Sequence, residues 1–271
     1  MDNLLTFVSA AAFAAFILCF AFLSAPLTEC GREEASPSFC RARRNFARVS
    51  ALCALAAFYF VPVGSLPPFI DFEFGGFIVV ALLIASALLD MLRGAPRFGS
   101  AAKALSFPAA FCFAWALLAL FVSRAGVPGA LGSLGTYSVM PLWCVAGAWG
   151  RAGMVCLFIM LLCLFPNAAR ASAGSRSSSE TLAADLRASL CAALVTALLL
   201  PWNLSEFIAA GGFPAFFLDF IFFWIKAFAV GCATTFAARA AALPARRRVA
   251  LLYTALIICG AFCIFIEARI F

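Results

Sequence analysis

The chain has 271 residues, 66% of them hydrophobic and only 11% charged, which excludes a soluble globular domain, where about half the residues are apolar. Its net charge of +7 comes from 19 Lys and Arg against 12 Asp and Glu, with no histidine at all. That absence removes haem ligation by His, most zinc sites and the usual Ser/His or Cys/His hydrolase arrangements.

The apolar stretches are rich in Ala, Leu, Phe and Ile without strict alternation, so they predict helices rather than barrel strands. The fold class is therefore all-α: a polytopic membrane helix bundle of about eight transmembrane helices, with residues 1–271 as a single integral membrane domain. In chain order the spans fall near 4–25, 49–63, 74–92, 105–123, 152–166, 183–201, 213–236 and 249–268. The first lacks a basic leader and exceeds the apolar length of a signal peptide, so it reads as a retained helix. A weaker run, TYSVMPLWCVAGAWG at 136–150, is short and Gly-interrupted and reads as lying along the membrane surface.

Eight spans leave 15 of the 19 basic residues on one side, whereas counting 136–150 as a ninth spoils that asymmetry. The positive-inside rule then makes the basic side cytoplasmic and puts both termini outside the cytoplasm of a multi-pass cell (inner) membrane protein. The external loops carrying Asp71, Glu73 and Glu206 are short, so no soluble domain hangs from them. Most of the 12 cysteines lie within apolar spans and none forms a CxxC pair, which reads as small apolar packing residues. No P-loop, GxSxG or post-strand GxGxxG occurs, and no catalytic or metal-ligating set is expected. No nucleic-acid partner is expected either.

Ionisable residues inside spans are costly and are functional candidates by default. The stretch FPAFFLDFIFFWIKAFAVGCATTF at 213–236 holds Asp219 and Lys226, seven residues apart and so on nearly one helix face, roughly 10 Å apart along the axis. They read as part of a proton or ion path; the structural alternatives are a Lys226 that snorkels or serves a broken backbone, and an Asp219 near the outer interface. Asp90, one turn before Arg93, is either half of an interfacial ion pair or a path entry. Glu180 and Asp185, with Arg187 beside them at the start of the sixth span, are explained equally by helix capping and dipole pairing. The runs RARRNFAR and PARRR supply Arg41, Arg43, Arg44, Arg246, Arg247 and Arg248, which are topogenic and lipid-facing or serve to dock an acidic soluble subunit.

Several landmarks have a family order. VPVGSLPPFIDFEFGGFIVVALLIASALLDMLRGAPRFGSAAKAL, and later LLLPWNLSE, FFWIKAFAV and AARAAALPARRRVALLYTALI, resemble the membrane subunit that anchors the hydrophilic arm of respiratory complex I, the NADH-quinone oxidoreductase. The same stretches resemble its relatives in group 4 NiFe hydrogenases and formate hydrogenlyase. The resemblance covers about two thirds of the chain, with Lys226 and Arg239 the best-matched landmarks. The family's acidic segment after the fifth helix corresponds here to NAARASAGSRSSSETLAADLRASL, which keeps Arg170, Glu180 and Asp185 and has Ser, Ala and Gly elsewhere.

What the resemblance implies is a non-catalytic subunit of a redox-driven proton or sodium pump. The arginines named, with Arg170 and Arg239, would dock soluble iron–sulfur, hydrogenase-like subunits on the cytoplasmic side. Antiporter-like membrane subunits would lie alongside, and Lys226, Asp219, Glu180, Asp185 and Asp90 would form the ion path. No cofactor is bound by this chain on that reading; iron–sulfur clusters, with NiFe or quinone chemistry, belong to the partners. The alternative is a stand-alone secondary transporter, whose internal inverted repeat is not apparent between residues 1–135 and 136–271.

Overall fold

The structure is a computed structural model that describes residues 37–63, 70, 75–92, 98–124, 146–169, 178–200, 202–208, 212–241 and 246–270. Among these there are seven long helices, one short one and no strand. They are α1 (Pro37–Phe58), α2 (Gly75–Leu92), α3 (Phe98–Arg124), α4 (Ala148–Ala169), α5 (Ser178–Leu199), α6 (Leu204–Ile208), α7 (Gly212–Ala241) and α8 (Arg246–Ile270). The expected span at 4–25 lies outside the described residues, as does the run at 136–150 up to residue 145; its last three residues open α4.

Two helices start well before their apolar runs. Helix α1 begins at Pro37 rather than near 49, so Arg41, Arg43 and Arg44 belong to a helix and not to a loop. Proline suits a first helical position, where its missing N–H has no partner to lose, and Arg and Ala are strong helix formers. Helix α3 likewise starts at Phe98, seven residues ahead of the apolar stretch. Arg239 lies in the last turn of α7 and Arg246, Arg247 and Arg248 in the first turn of α8, again on helices. Arg170 lies outside the described residues.

Three helices, α4, α5 and α7, are long and apolar enough to cross a membrane, through Ala148–Phe165, Leu182–Leu199 and Pro214–Thr234. Shorter apolar stretches occupy Asn45–Phe58, Gly75–Leu89, Leu105–Leu118 and Thr254–Ile266. Outward faces are apolar too: Phe217, Ile221, Ile225 and Phe228 recur along one side of α7, and Ile258, Phe262 and Phe265 along α8, all exposed. Several polar groups are buried between the helices, among them Ser50, Ser86, Asp185, Arg187 and Asp219, while Asn45, Arg48 and Arg151 are exposed; long exposed apolar faces are expected of helices whose surroundings are lipid.

Helix α5 is the axis of the bundle, enclosed almost throughout its apolar window and packed against α1, α4 and α7. Helix α4 in turn meets α3, α7 and α8. Aromatic contacts join the layers: Phe77 of α2 meets Trp115 of α3 edge-on at 4.8 Å, and Phe107 of α3 meets Phe165 of α4 at 6.1 Å. Helices α4 and α8 approach most closely where glycines face each other. A Cβ on Gly153 would stand 2.6 Å from Ile264 Cγ1 and 3.1 Å from the Gly260 carbonyl oxygen. A Cβ on Gly260 would in turn lie 3.2 Å from Cys156 Cβ. Small residues allow such approach where no hydrophobic force drives helices together.

Candidate functional site: a broken helix held by two charges

The sequence after α5 decides the local structure. Pro201 disfavours helical backbone at Leu200 and has no N–H to donate, so α5 stops at Leu199. Two residues later, Asn203 with Glu206 three positions on matches a capping-box pattern, and the short α6 begins at Leu204. This piece was expected to be a plain external loop; it is a helix break followed by a helical turn. Its backbone is the problem: the carbonyls of Leu200 and Trp202, just past the end of α5, and the first N–H groups of α6 have no partner within a helix.

Helix α7 supplies both. Lys226 Nζ donates to the Leu200 carbonyl at 2.7 Å and to the Trp202 carbonyl at 2.5 Å. Asp219 accepts from the Ser205 backbone N–H at 2.8 Å and from the Ser205 hydroxyl at 2.6 Å. Rising residue numbers on one side of these contacts match falling numbers on the other, so α7 runs antiparallel to α5 and α6. The signs are matched as well: the ammonium meets the negative C-terminal end of α5, and the carboxylate meets the N–H groups that open α6.

Depth along α7 separates the two charges. Lys226 is twelve residues, roughly 18 Å at 1.5 Å per residue, into the 21-residue apolar window that starts at Pro214. The break in α5 therefore lies beside the middle of an apolar helix, where irregular backbone persists only if protein or water serves it. Asp219 is nearer the window's start and is only 1% exposed, packed as a buried partner of α6. Lys226 is partly buried, with its Nζ also 5.0 Å from the centroid of the Phe222 ring, close enough for a cation–π contribution. Of the readings open for Lys226, serving a broken backbone is what its two carbonyl contacts do.

A second polar cluster binds α1, α2 and α5. The Ser50 and Ser86 hydroxyls are 2.9 Å apart, and each lies 3.0 Å from the other residue's carbonyl oxygen. Arg187 Nη1 donates to the same Ser86 carbonyl at 3.3 Å, a long bond. Asp185 and Arg187 are 4% and 1% exposed, so neither is the surface residue of a helix start. Residues two apart do not share a helix face, and the pair therefore points to different neighbours. Ser189, one turn on, donates its hydroxyl to the Asp185 carbonyl at 2.8 Å.

The candidate ion-path residues are thus gathered in part. Asp219 and Lys226 converge on one segment, Leu200 to Ser205. Asp185 is at the other end of α5, fifteen residues from Leu200, or roughly 22 Å. Asp90 follows Ser86 by four residues on α2, and Glu180 is in the first turn of α5; their side chains lie outside the described residues. Helical register sets Asp185, Ser189, Thr196 and Leu200 within one narrow face of α5. Thr196 on that face is fully buried, and its hydroxyl has no hydrogen-bond partner among the described residues.

Arg187 is the residue whose burial sequence reading missed, because its visible partner is a backbone carbonyl on another helix. No protein-family model and no curated protein matches the chain, so the resemblance to the complex I membrane subunit rests on the quoted motifs.

Proposed function

We propose that this chain is the ion-translocating, partner-anchoring membrane subunit of a redox-driven complex. The observation that carries the ion-translocating part is Lys226, an ammonium midway along the apolar window of α7 and seated on the Leu200 and Trp202 carbonyls in the non-helical connection between α5 and α6. Discontinuous helices with unwound carbonyls and half-helix ends near the midplane are how membrane proteins build sites for small cations. The chain spans the cell (inner) membrane eight times with both termini outside the cytoplasm. Its arginine-rich helix ends, from Arg41 to Arg44 and from Arg246 to Arg248, together with Arg170 and Arg239, form the cytoplasmic face on which soluble iron–sulfur, hydrogenase-like subunits dock. Antiporter-like membrane subunits flank it, and the iron–sulfur clusters, with NiFe or quinone chemistry, belong to partner subunits. Charge moves through Lys226 and Asp219 and continues along α5 towards Asp185, Glu180 and Asp90.

A stand-alone secondary transporter is the second reading, and the same discontinuity between α5 and α6 favours it. Gentle purification of the tagged chain from its native membrane, with mass spectrometry and an iron assay, separates the two. Stoichiometric iron–sulfur subunits support the redox complex; an iron-free chain, alone or as a homo-oligomer, refutes it and leaves the transporter. Within either, Lys226→Met lowers ion movement per assembled complex, and unchanged movement removes Lys226 from the path.

A further inference from the structure

Helices α7 and α8 flank α4 without closing over it. Both pack on α4, α7 also against α5 and α8 also against α3, while the described parts of α7 and α8 make little contact with each other. A strip of α4 is left between them, where Ala152, Val155 and Ile159 are exposed. On α8, Gly260 lies against Cys156 and Cys263 against Gly153, so the exposed Cys259, one turn before Cys263, borders the strip. On α7 the bordering side carries the exposed Ile221 and Phe228, opposite the face that Asp219 and Lys226 turn to the break. Gly231 follows Phe228 there, and a Cβ added to it would meet nothing within 4 Å, so this wall of the groove is notched. Both walls end on arginine. Arg239 follows Phe228 by eleven residues and Ile221 by eighteen, which sets it on their face of α7; Arg248 precedes Cys259 by eleven, which sets it on that face of α8. Arg239 is five residues past the apolar window that ends at Thr234, and Arg248 six residues before the apolar stretch that opens at Thr254. Each is thus roughly 8 Å outside the apolar zone, at the same end of the groove.

We propose that the groove between α7 and α8 binds an anionic phospholipid, with an acyl chain laid along α4 and the phosphate at the level of Arg239 and Arg248. Charge selects the headgroup: guanidinium groups recognise phosphate through paired N–H bonds, and basic sites at the cytoplasmic ends of membrane helices take acidic lipids. The walls select a chain over a helix. Close helix packing in lipid uses small residues, as where Gly153 meets Gly260, whereas this groove presents the large side chains of Ile221 and Phe228 beside one notch at Gly231. The proposal goes beyond the docking reading of the arginines and does not depend on the redox complex. It also divides them by register: Arg247 precedes Thr254 by seven residues and Ile258 by eleven, and so falls on a face of α8 turned about 100° from that of Arg248.

The test places the full chain, with the partners that purify with it, in nanodiscs of equal parts phosphatidylglycerol and phosphatidylcholine with identical acyl chains. The complex is then extracted in mild detergent, and retained lipid is counted by native mass spectrometry. The wild type keeps about one phosphatidylglycerol per chain in preference to phosphatidylcholine. Arg239→Gln and Arg248→Gln each lower that preference about fivefold, and Arg247→Gln, at the same depth on another face, leaves it unchanged. Gly231→Leu fills the notch while favouring helix, and it lowers retention of both lipids without changing the preference between them. Equal retention of the two lipids by the wild type overturns the proposal even if no variant assembles. Equal losses in Arg247→Gln and Arg248→Gln overturn it as well, since diffuse surface charge then accounts for the preference. A photoreactive benzoylphenylalanine in place of Phe228 gives the independent readout: cross-linking to lipid supports the seat, and cross-linking to a protein subunit makes the groove a subunit interface and refutes it.

Discussion

Replacing Asp219 with alanine tests whether the carboxylate holds α6 in place. Two hydrogen bonds are lost, from the Ser205 N–H at 2.8 Å and from its hydroxyl at 2.6 Å, and bonds to a charged group contribute about 1.5–3 kcal/mol each. Part of that is offset, because a carboxylate 1% exposed no longer has to be desolvated. The Ser205 N–H and hydroxyl are then left without their acceptor beside an apolar helix. The net loss works out at about 2–4 kcal/mol, a large share of the 5–15 kcal/mol by which domains are typically stable. Asp219→Asn keeps an acceptor for the N–H and a donor for the hydroxyl and costs about 1 kcal/mol, the charge assistance alone. Ser205→Ala costs about 1–2 kcal/mol, and the double variant shows a coupling of about 1–2 kcal/mol. Equilibrium unfolding in mixed micelles, read by tryptophan fluorescence, measures all four species, since Trp202 and Trp224 flank the break. Additive single effects, or an alanine variant as stable as the wild type, would refute the account of Asp219 as the anchor of α6.

Three further outcomes follow from other parts of the bundle. Gly153→Ala forces a Cβ to within 2.6 Å of Ile264 and 3.1 Å of the Gly260 carbonyl, costing about 1–3 kcal/mol by overpacking; Ile264→Ala relieves only part of it, because the carbonyl is backbone. Gly231→Ala, with nothing within 4 Å of the added atom, stabilises by up to about 1 kcal/mol through helix propensity, and the two glycine variants should move the unfolding midpoint in opposite directions. Thr196→Val replaces a buried hydroxyl that has no partner among the described residues with a methyl of the same size, and is neutral or stabilising by about 1 kcal/mol; clear destabilisation would mean that the hydroxyl is bonded.

The membrane character and the class of fold are legible because a bilayer demands long apolar helices, and the limits of α2, α7 and α8 follow from that demand within a few residues. Hydropathy reads the surroundings of a helix, however, not the helix. The Arg-rich start of α1 and the first turns of α3 are therefore helical where the apolar pattern implied loop. Asp219 and Lys226 stood out as charges in an apolar run, but their partners did not. Lys226 bonds to two carbonyls, and Asp219 to an N–H as well as a hydroxyl; backbone groups leave no mark of their own in a sequence. The capping pattern from Asn203 to Glu206 was the one available sign of α6. Arg187 is buried against a carbonyl for the same reason, so its position beside Asp185 suggested a helix end where there is a core.

The break between α5 and α6 also bears on how the chain is made. Synthesis delivers Leu200 to Ser205 before α7 exists, so the open carbonyls and N–H groups must wait for Asp219 and Lys226 to emerge. Alone, α7 would enter lipid with two bare charges, of which Lys226, midway along its apolar window, is disfavoured by about 2.5–3.5 kcal/mol, and Asp219, nearer the window's start, by less. The pairing of α7 with α5 and α6 therefore offsets the cost of its charges and satisfies the backbone between Leu200 and Ser205 in one step.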